Sequence, residues 1–280
     1  MKLLRFGNKG AEKPAVLHDD GTIRDVSSLV ADFTPETLSP ALARILASAE
    51  IGSLPEVPSS VRIGAPISRI GHFIAIGLNY ADHAAESGLP VPSEPVVFSK
   101  APSSLSGPYD DVMLPKESQK SDWEVELAVI IGERCDYVEE KDALSHVFGY
   151  AVCNDVSERE YQAERGGQWV KGKSAPTFGP LGPWLVTTDE IPDPQNLDMF
   201  LDINGERRQT GTTKTMIFTV AHIVSYLSQF MVLEPGDVIT TGTPPGVGLG
   251  MKPPVYLKAG DEMRLGIAGL GEQHQRVVAR

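Results

Sequence analysis

One strongly apolar run, opened by two glutamates, constrains the fold of this chain more than any other stretch. Residues 127–131 read LAVII, without the polar alternation of a half-buried strand, which is typical of a strand buried on both faces. Glu124 and Glu126 lie directly before this run, within a predicted strand at 123–131. The two-residue period of a strand directs both side chains to one face, so two like charges share that face and need a counter-charge.

These two glutamates indicate either a solvent-exposed face or a cation site. A solvent-exposed pair is the ordinary interpretation of an isolated Glu-x-Glu. Here the apolar run that follows favours burial, and an uncompensated buried carboxylate carries a large free-energy cost. Glu124 and Glu126 are therefore candidate ligands of a hard divalent metal, because all-oxygen ligands favour Mg²⁺, Mn²⁺ or Ca²⁺ over zinc or copper.

The composition narrows the classes of partner. The 280 residues are 41% hydrophobic, and 37 acidic against 25 basic residues give a net charge of −12, which argues against nucleic acid or anionic lipid. Cys135 and Cys153 share no CxxC spacing, and the start of the sequence has no signal-peptide core. The apolar runs are shorter than the roughly 18–20 residues of a membrane span. We therefore expect a cytoplasmic protein with neither a nucleic-acid nor a membrane partner.

Turn signals divide the chain into two units. Residues 1–62 are predicted to form a small β-rich N-terminal domain that ends in a Pro/Ser linker. The elements predicted in it are strands at 2–6, 14–18 and 22–26 and a helix at 40–49. Residues 63–280 are predicted to form the larger domain, in which short strands outnumber helices and the clearest helix spans 218–230. The pattern predicts an α+β fold dominated by a mixed sheet, not a doubly wound parallel one.

Asp155 is a possible third oxygen ligand. It follows the apolar segment 150–153 and lies far enough after Glu126 for the chain to cross over and return to a neighbouring strand. An Asn-Asp pair after a strand is otherwise a common turn or helix cap. Asp155 joins the two glutamates only if the two strands are neighbours.

His83 and Glu86 form a candidate acid–base pair. If Asn79 opens a helix, the two side chains are three residues apart and share a face. A carboxylate orients an imidazole and raises its basicity, as activation of water requires. The alternative is an incidental pair on a surface helix. The Gly/Pro segment at 87–92 favours the first interpretation, since it could tether a mobile lid.

Lys173 lies in a segment that formally matches a nucleotide-binding loop. Residues 167–174 read GQWVKGKS, but such a loop needs an apolar strand before it and a helix after it. The upstream segment is polar, and prolines at 176, 180 and 183 prevent a long helix. An NTPase is therefore disfavoured, and Lys173 remains as a cation that could meet an anionic substrate.

Thr243 lies in a Gly/Pro-rich loop, TTGTPPGVGLG, after a predicted strand. Its hydroxyl and N–H could bind a carboxylate, although a plain loop with turn glycines is the alternative.

Taken together, these segments resemble the fumarylacetoacetate hydrolase family over about residues 63–270. The motifs that carry the resemblance, in family order, are GLNYADH with Glu86, WEVEL at 123–127, NDVS at 154–157 with Arg159, GKS at 172–174, and PGDV at 235–238 leading to TGTP at 241–244.

The resemblance implies a mixed β-roll catalytic domain, usually dimeric, that binds Mg²⁺ or Mn²⁺. A fourth metal carboxylate of some members has no clear match here, which leaves coordination positions for water and substrate. By this resemblance the metal ligands are Glu124, Glu126 and Asp155, the lid dyad is His83 and Glu86, the active-site lysine is Lys173, and the substrate contacts are Arg159, Gln162 and Thr243.

Within the family the sequence is most similar to a bacterial branch described as 2,4-diketo-3-deoxy-L-fuconate hydrolase, some of whose members are labelled ureidoglycolate lyase. The expected reaction is hydrolysis of the C3–C4 bond of an acylpyruvate, a small anionic 2-oxo acid, to pyruvate and a short acid. A bound metal would make pyruvate enolate a tolerable leaving group, and His83 would take a proton from the attacking water.

Three alternatives use the same metal site: ureidoglycolate cleavage, decarboxylation of an oxo acid, and isomerisation of a hydroxydienedioate. A fourth is a non-catalytic, metal-dependent binding module. The presence of His83, Glu86 and Lys173 beside three acidic residues counts against that module.

Overall fold

The computed structural model describes residues 1–81 and 90–280. In chain order the strands of this part of the chain are β1 (Lys2–Phe6), β2 (Lys13–Leu17), β3 (Ile23–Asp25), β4 (Glu56–Val57), β5 (Ile63–Gly64), β6 (Phe73–Gly77), β7 (Val96–Lys100), β8 (Leu105–Ser106), β9 (Val112–Leu114), β10 (Ser121–Asp122), β11 (Val125–Ile131), β12 (Val147–Asn154), β13 (Ser157–Glu158), β14 (Gly179–Thr187), β15 (Asp198–Ile203), β16 (Glu206–Thr212), β17 (Val238–Thr240), β18 (Glu262–Ile267) and β19 (Gly271–Ala279).

Helices are few and short in the described residues. The α-helices are α1 (Pro40–Ala47), α2 (Val170–Lys173) and α3 (Val220–Leu227), the 3₁₀ turns are Ile51–Ser53, Pro102–Ser104, Glu140–His146, Thr213–Thr215 and Gly248–Gly250, and Glu160–Glu164 is a π-helical turn. None of these helices has the length and hydrophobicity to cross a membrane.

The strands form one large sheet and two smaller ones. The order of the large sheet is β4-β3-β2-β1-β14-β12-β11-β17-β6-β7, with β5 beside β1 and β8 beside β14. Most neighbours are antiparallel, whereas β17 pairs with β6 and β8 pairs with β14 in parallel. A five-stranded sheet has the order β16-β15-β18-β19-β9, and β10 pairs with β13. The predicted α+β fold with a mixed sheet is confirmed.

Strand β11 lies inside the large sheet and is buried on both faces, as its apolar run predicts. Leu127, Val129 and Ile131 pack into a core shared with the five-stranded sheet. The alternating residues Ala128 and Ile130 pack into a second core, shared with α1 and the N-terminal strands. All seven residues of β11 are buried, so this strand is held in place from both sides.

The strand at 123–131 begins two residues later than predicted. The N–H groups of Trp123 and Glu124 donate to the side chains of Asp122 and Asn154, at 2.9 and 3.2 Å, and not to a neighbouring strand. Glu124 therefore precedes β11, and only Glu126 lies within it.

The N-terminal strands continue the large sheet. β1 pairs with β14 in antiparallel orientation, and β2, β3 and β4 follow it outward. The predicted strand at 2–6 is found with those bounds, and α1 ends at Ala47, two residues before the predicted end. The division of the chain at residue 62 stays a prediction.

An ion-pair cluster joins the N-terminal segment to the loop before β9. The guanidinium of Arg62 makes paired bonds to Asp110, at 2.7 and 2.6 Å, and a third to Glu12 at 2.9 Å. Burial raises the pKa values of Asp110 and Glu12, but the hydrogen bonds from Arg62 outweigh it, so both pKa values lie below their ordinary range.

We expect Arg62→Met to lower the free energy of unfolding by about 1 kcal/mol at pH 7. Carboxyl groups with lowered pKa values stabilise the folded state above their ordinary pKa and lose this effect as the pH falls through it. The difference from the parent protein should therefore shrink as the pH falls from 7 towards 3, as measured by urea denaturation. Arg69→Met, which removes an exposed pair with Glu36, is the control and should change little. An equal difference at both pH values would contradict this role of the cluster.

Candidate metal centre

Three buried carboxylates meet where β11 begins and β12 ends. The two strands are antiparallel neighbours, with Val125 opposite Asn154 and Glu126 opposite Cys153. The next residue, Asp155, donates its N–H to the carbonyl of Glu124 at 2.9 Å. Glu124, Glu126 and Asp155 are all buried, and each offers an oxygen within 4.8 Å of the others. The adjacency on which a third oxygen ligand depends is therefore present.

The donor set fits a hard divalent cation. Oxygen ligands lie about 2.0–2.6 Å from Mg²⁺ or Ca²⁺, so ligands on opposite sides of the ion are roughly 4–5 Å apart. The oxygens of the three carboxylates lie within this separation. No sulfur or imidazole belongs to the group among the described residues, which favours Mg²⁺ or Mn²⁺ over softer metals.

Two buried lysines compensate part of the negative charge. Lys173, the last residue of α2, donates to Glu124 Oε2 at 2.6 Å and to Asp155 Oδ2 at 2.7 Å. Lys100, the last residue of β7, donates to Asp155 Oδ1 at 2.5 Å. Both carboxylate oxygens of Asp155 are thus paired with ammonium groups, whereas the sequence analysis assigns Lys173 to an anionic substrate and does not single out Lys100.

The pKa values of Glu126 and Lys173 are both raised, but for different reasons. Burial, followed by the nearby Asp155 and Glu124, raises the pKa of Glu126 well above its ordinary value, although the N–H of Gly242 donates to it at 2.8 Å. Burial alone would lower the pKa of Lys173, but Asp155 and Glu124 outweigh it and the pKa is raised. Lys173 is therefore held as an ammonium, while the charge on Glu126 is the least compensated of the three carboxylates.

Arg159 is fixed by acidic neighbours. Its Nε and Nη2 lie 2.8 Å from Asp122 Oδ2, its Nη2 lies 2.7 Å from Glu124 Oε1, and its Nη1 donates to Gln162 at 3.1 Å. Burial opposes the charge of Arg159, but Asp122 and Glu124 raise its pKa. The predicted substrate contact is thus preorganised by the protein.

Asp122 is a site residue that the sequence analysis missed. It is fully buried, and besides Arg159 it accepts hydrogen bonds from the N–H groups of Gly248 and Leu249 at 2.7 and 3.0 Å. One carboxylate therefore holds Arg159 and the glycine-rich loop together. Its position next to the WEVEL motif is the only signal in the sequence, since an aspartate before a strand is otherwise an ordinary turn residue.

Lys100 was also missed. It follows an apolar segment and is 1% exposed, which is rare for lysine unless the side chain is paired. A sequence alone does not distinguish it from the exposed lysine that ends many strands.

Gly172 has a packing role in the loop that formally matches a nucleotide-binding motif. A side chain there would place its Cβ 2.5 Å from the carbonyl oxygen of Glu158 and 2.6 Å from Gln162. The glycine lets α2 approach the 158–162 segment closely, and this packing brings Lys173 to the carboxylates. The preceding strand and long following helix of a nucleotide site are not found at this position.

A cavity of about 200 Å³ opens beside the carboxylates. Six of the predicted site residues line it: Glu124, Glu126, Arg159, Gln162, Lys173 and Thr243. The hydroxyl of Thr243 donates to the carbonyl of Val125 at 2.9 Å and accepts from Gln209 at 2.8 Å, so it also anchors its loop to the start of β11. The predicted pair His83 and Glu86, and residues 82–89 of the predicted lid at 79–92, lie outside the described residues.

The family model of the fumarylacetoacetate (FAA) hydrolase C-terminal domain matches residues 72–278. The chain belongs to the fumarylacetoacetate hydrolase family. Its members are enzymes, and the matched region contains every residue of the metal centre described above.

Three relatives of this family member show the range of assigned reactions. A Burkholderia multivorans protein, provisionally described as a hydrolase, is 61% identical over 276 residues, which is 98% of each chain. A structure from Mycobacterium abscessus, provisionally assigned as a 2-hydroxyhepta-2,4-diene-1,7-dioate isomerase, is 37% identical with a TM-score of 0.86 and covers 100% and 99% of the two chains. Maleylpyruvate hydrolase from Sphingobium sp. SYK-6, in complex with manganese(II) ion and pyruvate, is 31% identical with a TM-score of 0.83. This match covers 100% of the present chain and 99% of the maleylpyruvate hydrolase chain.

We expect Lys100→Met to lower the free energy of unfolding of the metal-free protein by about 3–5 kcal/mol, because it removes one partner of a fully buried ion pair. Urea denaturation in EDTA measures this loss. Lys116→Met, at an exposed lysine, should change stability by less than about 0.5 kcal/mol. If the free energy of unfolding fell equally little in both variants, the Lys100–Asp155 contact would not stabilise the metal-free centre.

Proposed function

We propose that this protein is an Mg²⁺- or Mn²⁺-dependent hydrolase that cleaves the C3–C4 bond of an acylpyruvate, a 2,4-dioxo acid, to pyruvate and a short acid. The observation that carries the proposal is the group of three buried carboxylates, with two fixed cations, beside a small cavity. The complex of a structurally similar maleylpyruvate hydrolase with manganese and pyruvate supports both the metal and the product.

The site residues have separate proposed roles. Glu124, Glu126 and Asp155 would hold the metal, which would supply Lewis acidity towards the oxygens of the 2-oxo acid. Lys173 and Arg159 place two positive charges beside the same carboxylates, so they can bind the substrate carboxylate and stabilise developing negative charge. Gln162 and Thr243 lie on the cavity wall, where they can orient the substrate.

The proposed hydrolysis adds one water across the C3–C4 bond. His83, oriented by Glu86, takes a proton from water as its oxygen attacks C4. The electron pair of the C3–C4 bond passes to C3 and gives the enolate of pyruvate, and the acyl carbon leaves as a carboxylic acid. Protonation of C3 completes pyruvate and restores the proton balance.

As the specific substrate we propose 2,4-diketo-3-deoxy-L-fuconate, which would yield pyruvate and lactate. The sequence resemblance to that bacterial branch supports this choice. We further propose that the enzyme acts in the cytoplasm as a homodimer, with neither nucleic acid nor membrane as a partner.

The second candidate is isomerisation of a hydroxydienedioate, which the structural similarity to the Mycobacterium abscessus protein favours. It needs the same stabilisation of an enolate but no water attack. Ureidoglycolate cleavage and oxo-acid decarboxylation remain alternatives at this site. Release of pyruvate from an acylpyruvate distinguishes hydrolysis from isomerisation and from ureidoglycolate cleavage.

We expect pyruvate release from 2,4-diketo-3-deoxy-L-fuconate or acetylpyruvate in the presence of Mg²⁺ or Mn²⁺, and loss of that activity in EDTA. A lactate dehydrogenase coupled assay measures the pyruvate, with ureidoglycolate and oxaloacetate as competing substrates. Turnover of ureidoglycolate alone would contradict the proposal.

We also expect Lys173→Met to lower kcat by about 100-fold or more, the usual effect of removing a group that stabilises charge in the transition state. Lys171→Met is the matched control: it removes an exposed lysine from the same helix and should leave kcat nearly unchanged. Equal activity of the two variants would exclude the role assigned to Lys173.

A further inference from the structure

The cavity beside the metal centre has polar and apolar lining residues. Part of its lining is an apolar wall, formed by Ile76, Leu78, Phe98, Trp169 and Leu249. We infer that this wall receives the acyl group of the substrate and that this group is uncharged, so the enzyme selects acylpyruvates with one carboxylate over those with two. The inference rests on the proposed function and names its substrate class.

The basic side chains described in the cavity lining already form ion pairs with carboxylates. Among the described residues that line it, the basic side chains are Arg159 and Lys173. Arg159 pairs with Asp122 and Glu124, and Lys173 pairs with Glu124 and Asp155. Both contact Glu124, one of the carboxylates beside which the 2-oxo acid would bind. Residues 82–89, which the structure does not describe, contain neither Lys nor Arg in their sequence.

The apolar wall is fixed by its packing. The rings of Trp169 and Phe98 meet edge to face with centroids 5.2 Å apart, and Lys173 Nζ lies 5.1 Å from the centroid of Phe98. Trp169 also packs on Gly77, where an added Cβ would lie 2.6 Å from the indole ring. Because the indole is held between a glycine and a ring, it cannot readily turn away to admit water around a charged group.

The rim of the cavity carries negative charge. Glu164 lines the cavity and is exposed, and its carboxylate contacts Lys120 at 2.5 Å. Lys120 compensates part of that charge from outside the cavity. A second substrate carboxylate would therefore leave water for an apolar wall with an acidic neighbour, where the nearby cation Lys173 is already paired with Glu124 and Asp155, which is unfavourable.

Two substrates of equal chain length test the inference. 2,4-Dioxoheptanoate ends in a methyl group, and 2,4-dioxoheptanedioate replaces that methyl by a second carboxylate. We expect kcat/KM for pyruvate release to favour the first by about 100-fold or more, and calorimetry with Mg²⁺ to show tighter binding of the first. Equal or tighter binding of the dioate, or equal or faster turnover of it, would overturn the inference.

The two measurements separate this inference from the proposed function. If neither compound releases pyruvate but the monocarboxylate still binds more tightly, the hydrolase proposal fails and the selectivity stands. If both release pyruvate and the dioate is preferred, the hydrolase proposal stands and the selectivity fails.

A charge placed on the wall should reverse the preference. Leu249 is 41% exposed, so Leu249→Lys can be accommodated, and it should raise the dioate-to-monocarboxylate ratio of kcat/KM by at least about 10-fold. Ala163→Lys, at an exposed position on the same cavity, is a second variant in case the first does not fold. Val97→Lys adds the same charge beside Phe98 but outside the cavity, and should leave the ratio unchanged. No change in the ratio for a folded cavity variant would contradict the assignment of the wall.

Discussion

The balance of buried charge around the end of β12 is the constraint on which the site depends. Four of the buried carboxylates of this region belong to the site: Asp122, Glu124, Glu126 and Asp155. Among the described residues, Lys100, Arg159 and Lys173 form ion pairs with Asp122, Glu124 and Asp155, so three cations face these four carboxylates. The deficit falls on Glu126, whose pKa is raised first by burial and then by the neighbouring carboxylates. A divalent cation relieves the repulsion that the protein's own cations leave.

The fold makes this concentration of charge sustainable. β11 is packed between two apolar cores, and its register with β12 places Asp155 beside Glu124. The β10–β13 pair sets Asp122 opposite Ser157, and so close to Arg159. Gly172 allows α2 to bring Lys173 inward, and β7 ends at Lys100. The charged groups thus come from several elements, and packing of those elements offsets the cost of burying them.

Much of the fold and of the candidate site could be predicted from the sequence. The apolar run of β11 indicates burial on both faces, and the short strands indicate a mixed sheet, because these signals are local. β16 and β19 are harder to predict, since most of their residues are polar. The start of strand β14 at Gly179 is also hard to predict, because its Gly and Pro residues are typical of a loop.

The charged partners of the site were harder to predict. Lys100 and Asp122 have no distinctive spacing, and only the tertiary structure brings them to Asp155 and Arg159. The proximity of Asp155 to the two glutamates likewise depends on which strands are neighbours. The roles of His83 and Glu86 stay predictions, since both residues lie outside the described part of the chain.

Anomalous diffraction from crystals grown with saturating Mn²⁺ tests the central claim most directly. One ion per chain should lie about 2.0–2.6 Å from oxygens of Glu124, Glu126 and Asp155 together. A map with no ion among these three carboxylates, or with the ion bound at another place in the chain, would contradict the account of the centre and of the function built on it.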